Sequence, residues 1–336
     1  MTPNLSGKLS YSSSGVNIAE GDKFVSSIKP LVKKTFSNSV IQGLGNFGAF
    51  YEIKKKFKSP VFVSSIDGVG TKLKLASYLN RYETVGEDLV NHCVNDIAVC
   101  GAVPLFFLDY YASGKLNSLN ASKVIEGMVR GCISNNCSLI GGETAEMPGL
   151  YSGNDFDLAG CITGIVEKKK IIDRKNVKKG DLLIGLPSNG LHTNGYSLAR
   201  KIFDTKAKLN KKLDHKKITV ADELLKVHRS YLDIIQSSLK KYKINSISHI
   251  TGGGIEGNTD RVIPAGRKLL IDWCSWEKPE IFRLIKVKGN VSDKVMRQTF
   301  NMGLGLIFIV SPGIADKFIK FLWSKNEMPV IAGEVK

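Results

Sequence analysis

Several things are scarce in this sequence, and each scarcity excludes a class of protein. Its 336 residues include six cysteines, and no two of them form the CxxC pair used by structural zinc and thioredoxin-like sites. Cys93, Cys100, Cys132, Cys137, Cys161 and Cys274 stand mostly inside apolar runs, which predicts reduced core thiols. The longest apolar run, Leu304 to Val310, has seven members, whereas a bilayer-spanning helix needs roughly 20. No membrane span is expected. The first residues, MTPNLSGKLSYSSSG, show neither an apolar h-region nor a basic amphipathic pattern, so the expected location is the cytoplasm. Arginine is also scarce, with nine against 39 lysines in a net charge of +17. That charge raises a basic nucleic-acid-binding protein as a reading. Bidentate readout of bases and phosphates favours arginine, however, and the aromatic residues are not interleaved with the lysine clusters at 54–58, 168–170 and 206–217. A solvated, lysine-biased surface with no specific nucleic-acid partner is the expectation.

The length suggests about two domains. Hydrophobic spacing alternates between helical and strand-like segments, which predicts a mixed α/β protein. Phe24, Ile28 and Phe36 follow helical spacing after Asp22, a candidate N-cap, and Pro30 is expected to kink or interrupt that helix. Strands are expected at 61–66, 104–111, 138–140, 157–166, 182–186, 268–273 and 304–310. Helices are expected at 87–99, 122–133, from 196, 223–239, 279–285 and 314–323. The charged stretch KKKIIDRKNVKKGD at 168–181 places a domain boundary, giving domains 1–168 and 169–336.

Gly43, Gly45 and Gly48 in GLGNFG satisfy the dinucleotide-binding spacing, but neither a preceding strand nor an acid about 20 residues on accompanies them. Asp67 is a better candidate, since it ends a strand and leads into GVGTK. A carboxylate, glycine amides and Lys72 share that turn, which suits a phosphate and a divalent cation. On the helix that follows, Asp88, Asn91 or His92, and Asn95 or Asp96 make a polar stripe of residues that are poor helix formers. Glu143 follows a strand and two glycines, so three acids could line one Mg²⁺ site. His192 and Asn194 in NGLHTNG, and the TGGG turn at 251–254, are loop candidates in the second half.

Together these motifs resemble the phosphoribosylformylglycinamidine cyclo-ligase family. The matching blocks are YSSSGVNI (11–18), DGVGTKLKLA (67–76), DLVNHCVNDIAVCGAVPLFFLDYYASGKL (88–116), GGETAEMPGLY (141–151), NGLHTNGYSLARKI (189–202), TGGGIEGNTDRVIP (251–264) and FNMGLGL (300–306). They run in the family's order across nearly the whole chain. Asn17 stands where the family commonly has Asp, and Gly257 and Asp260 interrupt its usual ENxPR block. The resemblance implies a two-domain α/β architecture with mixed sheets, an active site in the interdomain cleft and a homodimer formed through the N-terminal sheets. It implies ATP-dependent closure of formylglycinamidine ribonucleotide to 5-aminoimidazole ribonucleotide, with Mg²⁺ as cofactor and release of ADP and phosphate. It also implies catalytic roles for Lys29, Asp96 and His192, with Asp67, Gly68, Gly70, Thr71, Lys72 and Asn95 along the nucleotide. Asn194, Thr251, Gly252, Gly253, Asn258 and Arg261 would hold the substrate or shape its domain, and Asp67, Asp96 and Glu143 would bind metal. Two alternatives of the same superfamily are a selenophosphate synthetase and a thiamine monophosphate kinase. The first would call for a cysteine before Lys29, and none is there.

Overall fold

The computed structural model describes residues 15–153, 155–213 and 217–336. Positions 11–14 of the matched YSSSGVNI block lie outside these. Helix α1 (Ile18–Lys33) begins one turn before Asp22, because the side chain of Asn17 accepts the Glu20 N–H at 3.2 Å and caps it. Pro30 does not interrupt α1, which ends only three residues later. A short hairpin, β1 (Val40–Gln42) and β2 (Phe50–Tyr51), follows and carries the GLGNFG segment as its loop. That setting, a loop between two strands, is not the strand–turn–helix of a dinucleotide fold.

The first main sheet contains β3 (Pro60–Gly68), β4 (Val103–Ser113), β5 (Ser138–Glu146) and β6 (Phe156–Glu167), in the order β3-β6-β4-β5. The β4/β5 pair is parallel and the others are antiparallel. Helices α2 (Lys72–Leu79), α3 (Val85–Ala98) and α4 (Ser118–Ser134) come from the same half, and α3 covers one sheet face. Glycine is required where α3 crosses: a Cβ on Gly160 would collide with Phe107 and Leu89. The opposite face stays open, exposing Phe62, Ile66 and Leu108. Alternation along β3 and β4 follows from one covered face and one free face.

The second sheet contains β7 (Leu182–Pro187), β8 (Ser246–His249), β9 (Leu269–Ile271), β10 (Leu304–Val310) and β11 (Val330–Val335), in the antiparallel order β8-β10-β7-β11-β9. Every residue of β10 is buried, as its unbroken apolar run requires of a central strand. Around this sheet run α5 (Tyr196–Ile202), α6 (Lys206–Leu209), α7 (Val220–Leu224), α8 (Leu232–Lys241), α9 (Gly254–Thr259), α10 (Glu280–Lys288), α11 (Asp293–Thr299) and α12 (Pro312–Trp323). The single helix expected over 223–239 is therefore two. Residues 225–231 between them are non-helical, and this break has a job at the seam between the halves.

Candidate active site

The polar stripe of α3 is buried, and most of it clamps the 225–231 segment. Asn91 Nδ2 donates to the His228 carbonyl at 2.8 Å and Asn95 Nδ2 to the Arg229 carbonyl at 2.8 Å. Asn95 Oδ1 accepts the Tyr231 N–H at 2.8 Å, and Asp88 Oδ1 accepts the His228 N–H at 2.7 Å. Lys72 Nζ lies 2.9 and 2.8 Å from the two Asp88 oxygens and donates to the Lys226 carbonyl at 2.7 Å. A loop backbone brought into the interior must find partners, and these side chains supply them. Burial pushes the Lys72 ammonium down and the Asp88 carboxyl up, each against the pull of the other.

This corrects two expected roles. Lys72 is fully buried and Asn95 has both amide atoms committed to backbone, so in this structure both hold the 225–231 segment instead of presenting free groups to a ligand. Thr71 is tied across the seam, its hydroxyl 3.0 Å from that of Ser197. Within the turn, Gly70 stays exposed and the Gly68 N–H donates to Asp67 Oδ1 at 2.7 Å.

Asp67 and Asp96 are both partly exposed and both lie near His92, and each is backed by a histidine. Asp67 Oδ2 is 3.0 Å from His92 Nε2, and Asp96 Oδ1 is 2.8 Å from His249 Nδ1, while Asp96 Oδ2 accepts from Ser65 at 3.0 Å. The carboxyl side chains keep 41% and 28% exposure, against 5% and 2% for the rings behind them, so the acids point toward solvent. Burial alone would raise both carboxyls, but the hydrogen bond and charge of His92 hold Asp67 below the ordinary value, and those of His249 do the same for Asp96. Both are ionised at neutral pH. Two further buried histidines complete the layer: His228 Nε2 lies 3.0 Å from His249 Nε2, and the His192 ring stacks on His228 at 4.0 Å. Thr193 Oγ1 links His92 Nδ1 at 3.0 Å. Four of the chain's five histidines thus meet here, although only His192 was a candidate by its loop motif.

His192 itself is 1% exposed, with a positive φ of 62° and its Nε2 accepting the Asn189 N–H at 3.1 Å. It sits beneath the cleft rather than in it. Asn194 is half-buried beside Gly252, and Gly252 and Gly253 are exposed. Asn258 is buried and donates to the carbonyls of Thr251, Gly252 and Gly254, and Thr251 donates its hydroxyl to Asn258 Oδ1. These two therefore hold the shape of the TGGG turn. Arg261 is exposed near Cys100 of the other half.

Glu143 does not join the other two acids. Asp67, Gly160, Asp109 and Gly142 form one row across the sheet, so Glu143, one residue on, points from the opposite face. Three strand spacings separate Asp67 from that edge, about 14 Å. Within one chain the three cannot share an ion. Glu143 is instead next to a second feature, a cavity of about 230 Å³ lined by residues 43–49 of the glycine loop with Leu108 and residues 140–142. A Cβ at Gly45 would lie 3.3 Å from Lys29 Nζ, so the Lys29 ammonium stands over this glycine-rich wall. The loop was set aside as a dinucleotide motif, and only the fold shows that it builds a cavity.

One mixed and one antiparallel sheet, each flanked by helices, with exposed carboxylates at the seam between them, is the architecture of a protein of the AIR synthase related class. Residues 50–166 match the family described as AIR synthase related protein, N-terminal domain, and residues 178–336 match its C-terminal domain. In fold the chain is similar to thiamine-monophosphate kinase from Stenotrophomonas maltophilia, with a TM-score of 0.70 at 13% identity over 92% of this chain and 93% of that one. A hydrogenase maturation protein HypE in complex with ATP gives 0.66 at 14% identity over 96% and 88%. In sequence it is 47% identical over 329 residues, 97% of each chain, to phosphoribosylformylglycinamidine cyclo-ligase of Thermoanaerobacter pseudethanolicus. The chain belongs to the phosphoribosylformylglycinamidine cyclo-ligase family, and it is a ligase of purine biosynthesis. The kinase, selenophosphate synthetase and nucleic-acid readings are not favoured.

Proposed function

We propose that ATP drives this ring closure from the cavity under Lys29, and that formylglycinamidine ribonucleotide reacts between the halves beside Asp67 and Asp96. Because that cavity lies about 14 Å from Asp67 within one chain, the reaction calls for the cavity of one copy to face the carboxylates of the other in a homodimer. The observation that carries the first part is the Lys29 ammonium over Gly45, since a point charge beside a glycine-walled cavity suits a polyphosphate. The HypE neighbour solved with ATP supports nucleotide use by the fold. In the cleft, Asp67 and Asp96 present ionised oxygens toward solvent, hard donors of the type Mg²⁺ takes, and each oxygen keeps a free lone pair beside its hydrogen bond. When bound there, Mg²⁺ would neutralise developing phosphate charge. Activation of the formamide oxygen by phosphorylation, attack by the substrate nitrogen and departure of phosphate require oriented reactants and stabilised charge more than a protein nucleophile. Asp96, held by His249, carries the charge nearest that chemistry. Asn194 with the Gly252 and Gly253 backbone receives the ribonucleotide, and Thr251, Asn258 and Arg261 frame it.

The open face of the first sheet fits a homodimer: Phe62, Ile66 and Leu108 are 59%, 71% and 37% exposed on one surface. We place the division between the two domains at 168/169, in the connection between β6 and β7, and the compartment in the cytoplasm.

The decisive assay incubates pure protein with ATP, Mg²⁺ and formylglycinamidine ribonucleotide. Aminoimidazole ribonucleotide with stoichiometric ADP is expected, and ADP without it would sink the reading. Lys29→Ala should raise the KM for ATP about tenfold, roughly 1.4 kcal/mol of lost binding, with little change in the KM for the ribonucleotide.

A further inference from the structure

A second cavity, of about 330 Å³, opens in the C-terminal half, lined by residues of α5, α6, α7 and α10 and their connections, none of them in the cleft. Its floor is apolar, with Phe203 and Val220 buried and Leu284 half-buried. Its rim is basic: Lys208, Lys211, Lys212 and Lys288 are all exposed, and Glu280 is the acid among the described lining residues. Lys208 is partly committed, donating to Asp204 Oδ1 at 2.8 Å and the Ile202 carbonyl at 3.2 Å. Lysines on a merely solvated surface need no concavity beneath them. Here they surround an apolar hollow at the small end of the roughly 300–1,000 Å³ range of ligand pockets.

We propose that this cavity is a second ligand site, for a small phosphorylated molecule with an apolar-faced ring, of the size and chemistry of a nucleoside monophosphate. The ring would lie against Phe203, Val220 and Leu284, and the phosphate among Lys211, Lys212 and Lys288. Compact ammonium groups suit such a point-like anion. The place also gives an occupant leverage on the cleft. Helix α5 starts directly after the 189–195 loop and ends at the cavity, and α7 runs from the cavity into the 225–231 segment clamped by α3.

The test uses the full chain saturated with a non-hydrolysable ATP analogue, so that binding at the Lys29 cavity is silent whether or not that assignment holds. Titration calorimetry with AMP should then find one further site per chain. Lys211→Glu with Lys288→Glu should weaken it at least tenfold, and kcat/KM without AMP should stay within twofold, because neither side chain is near the cleft. Leu284→Trp fills the hollow and should abolish AMP binding while inorganic phosphate still binds, which separates a built pocket from a lysine surface. The proposal is overturned by no AMP uptake either with or without the analogue, by AMP affinity unchanged in the lysine variant, or by AMP binding that survives Leu284→Trp. Preferential binding of a short single-stranded oligonucleotide over AMP, lost in the lysine variant, would equally overturn it.

Discussion

Lys72 and Asp88 form an ion pair, 2.8 Å at its closest, with no exposed side-chain surface on either residue, at the seam where the two halves of the chain meet. One end of the pair is bonded to the carbonyl of Lys226 and the other to the N–H of His228. The pair therefore fixes a loop of one half against a helix of the other, and the cleft geometry depends on it.

Breaking the pair from one side should be costly. Lys72→Met leaves the Asp88 charge buried without its counterion, for which about 3–5 kcal/mol is typical. The double variant Lys72→Met/Asp88→Leu removes both charges and should recover much of that loss. Urea unfolding of the three proteins measures it. Equal loss in the single and double variants would mean that the backbone bonds to Lys226 and His228, rather than the charges, hold the seam.

Asp96→Asn tests the cleft. The amide oxygen can still accept from His249 Nδ1, so the fold should survive, but the ionised oxygen is gone. A loss of about two orders of magnitude or more in kcat/KM is expected, some 2.7 kcal/mol of transition-state stabilisation. Activity within threefold of the parent at saturating Mg²⁺ would remove Asp96 from the reacting site.

His192→Ala should lower turnover if the family-implied role of His192 holds, and the buried ring adds a second effect. Its Cε1 is so close to Gly305 that a Cβ there would collide with it, and its positive φ disfavours alanine. Loss of a buried ring and backbone strain together should cost about 2–4 kcal/mol of stability. Affinity for an ATP analogue should be unchanged in the folded protein. His192→Asn, which tolerates that φ, should recover part of the stability, and equal melting temperatures for the two variants would argue against the strain.

What the sequence could convey depended on how local the cause was. The strand at Leu304–Val310 and the helix beginning at Val85 were legible because their periodicity is a property of the segment itself. Lys72 and Asn95 read as ligand residues because a polar stripe with glycine turns looks the same whether it faces a phosphate or another backbone. Their true partners lie more than 130 residues away, at Lys226, Arg229 and Tyr231. Asp67 and Glu143 looked alike as acids ending glycine-flanked strands. Only the pairing register, which depends on the whole sheet, shows that they point from opposite faces.

The open sheet face gives an association prediction. If Phe62, Ile66 and Leu108 are covered by a second copy, sedimentation equilibrium should find twice 36.8 kDa at micromolar concentration. Ile66→Glu, placing a charge in the middle of that patch, should shift the mass toward 36.8 kDa. A parent that is monomeric at that concentration would contradict the homodimer.

The last prediction concerns Asp109, in the centre of the PLFFLDYY strand. Asp109 keeps some surface of its own, but so much protein surrounds its carboxyl that burial pushes it up to about 7, opposed by a hydrogen bond from its own backbone. The unfolded chain holds such a group near the ordinary value of 3.8. Between these two values the native state binds the proton and the unfolded state releases it, so the slope of stability with pH is negative there. Asp109 should therefore cost nothing near pH 4, cost progressively more up to pH 7, and level off above. Asp109→Asn cannot ionise and has no such penalty. Thermal melts of parent and variant from pH 4 to pH 8 should show a difference that is small at the acid end and widest at pH 8, in favour of the variant. Other titrating groups, including the histidine layer behind the cleft, affect both proteins alike and cancel in the difference. A difference that is flat across the series would mean that the Asp109 carboxyl ionises normally in the fold, and that the sheet beside Gly142 is wetter than its packing implies.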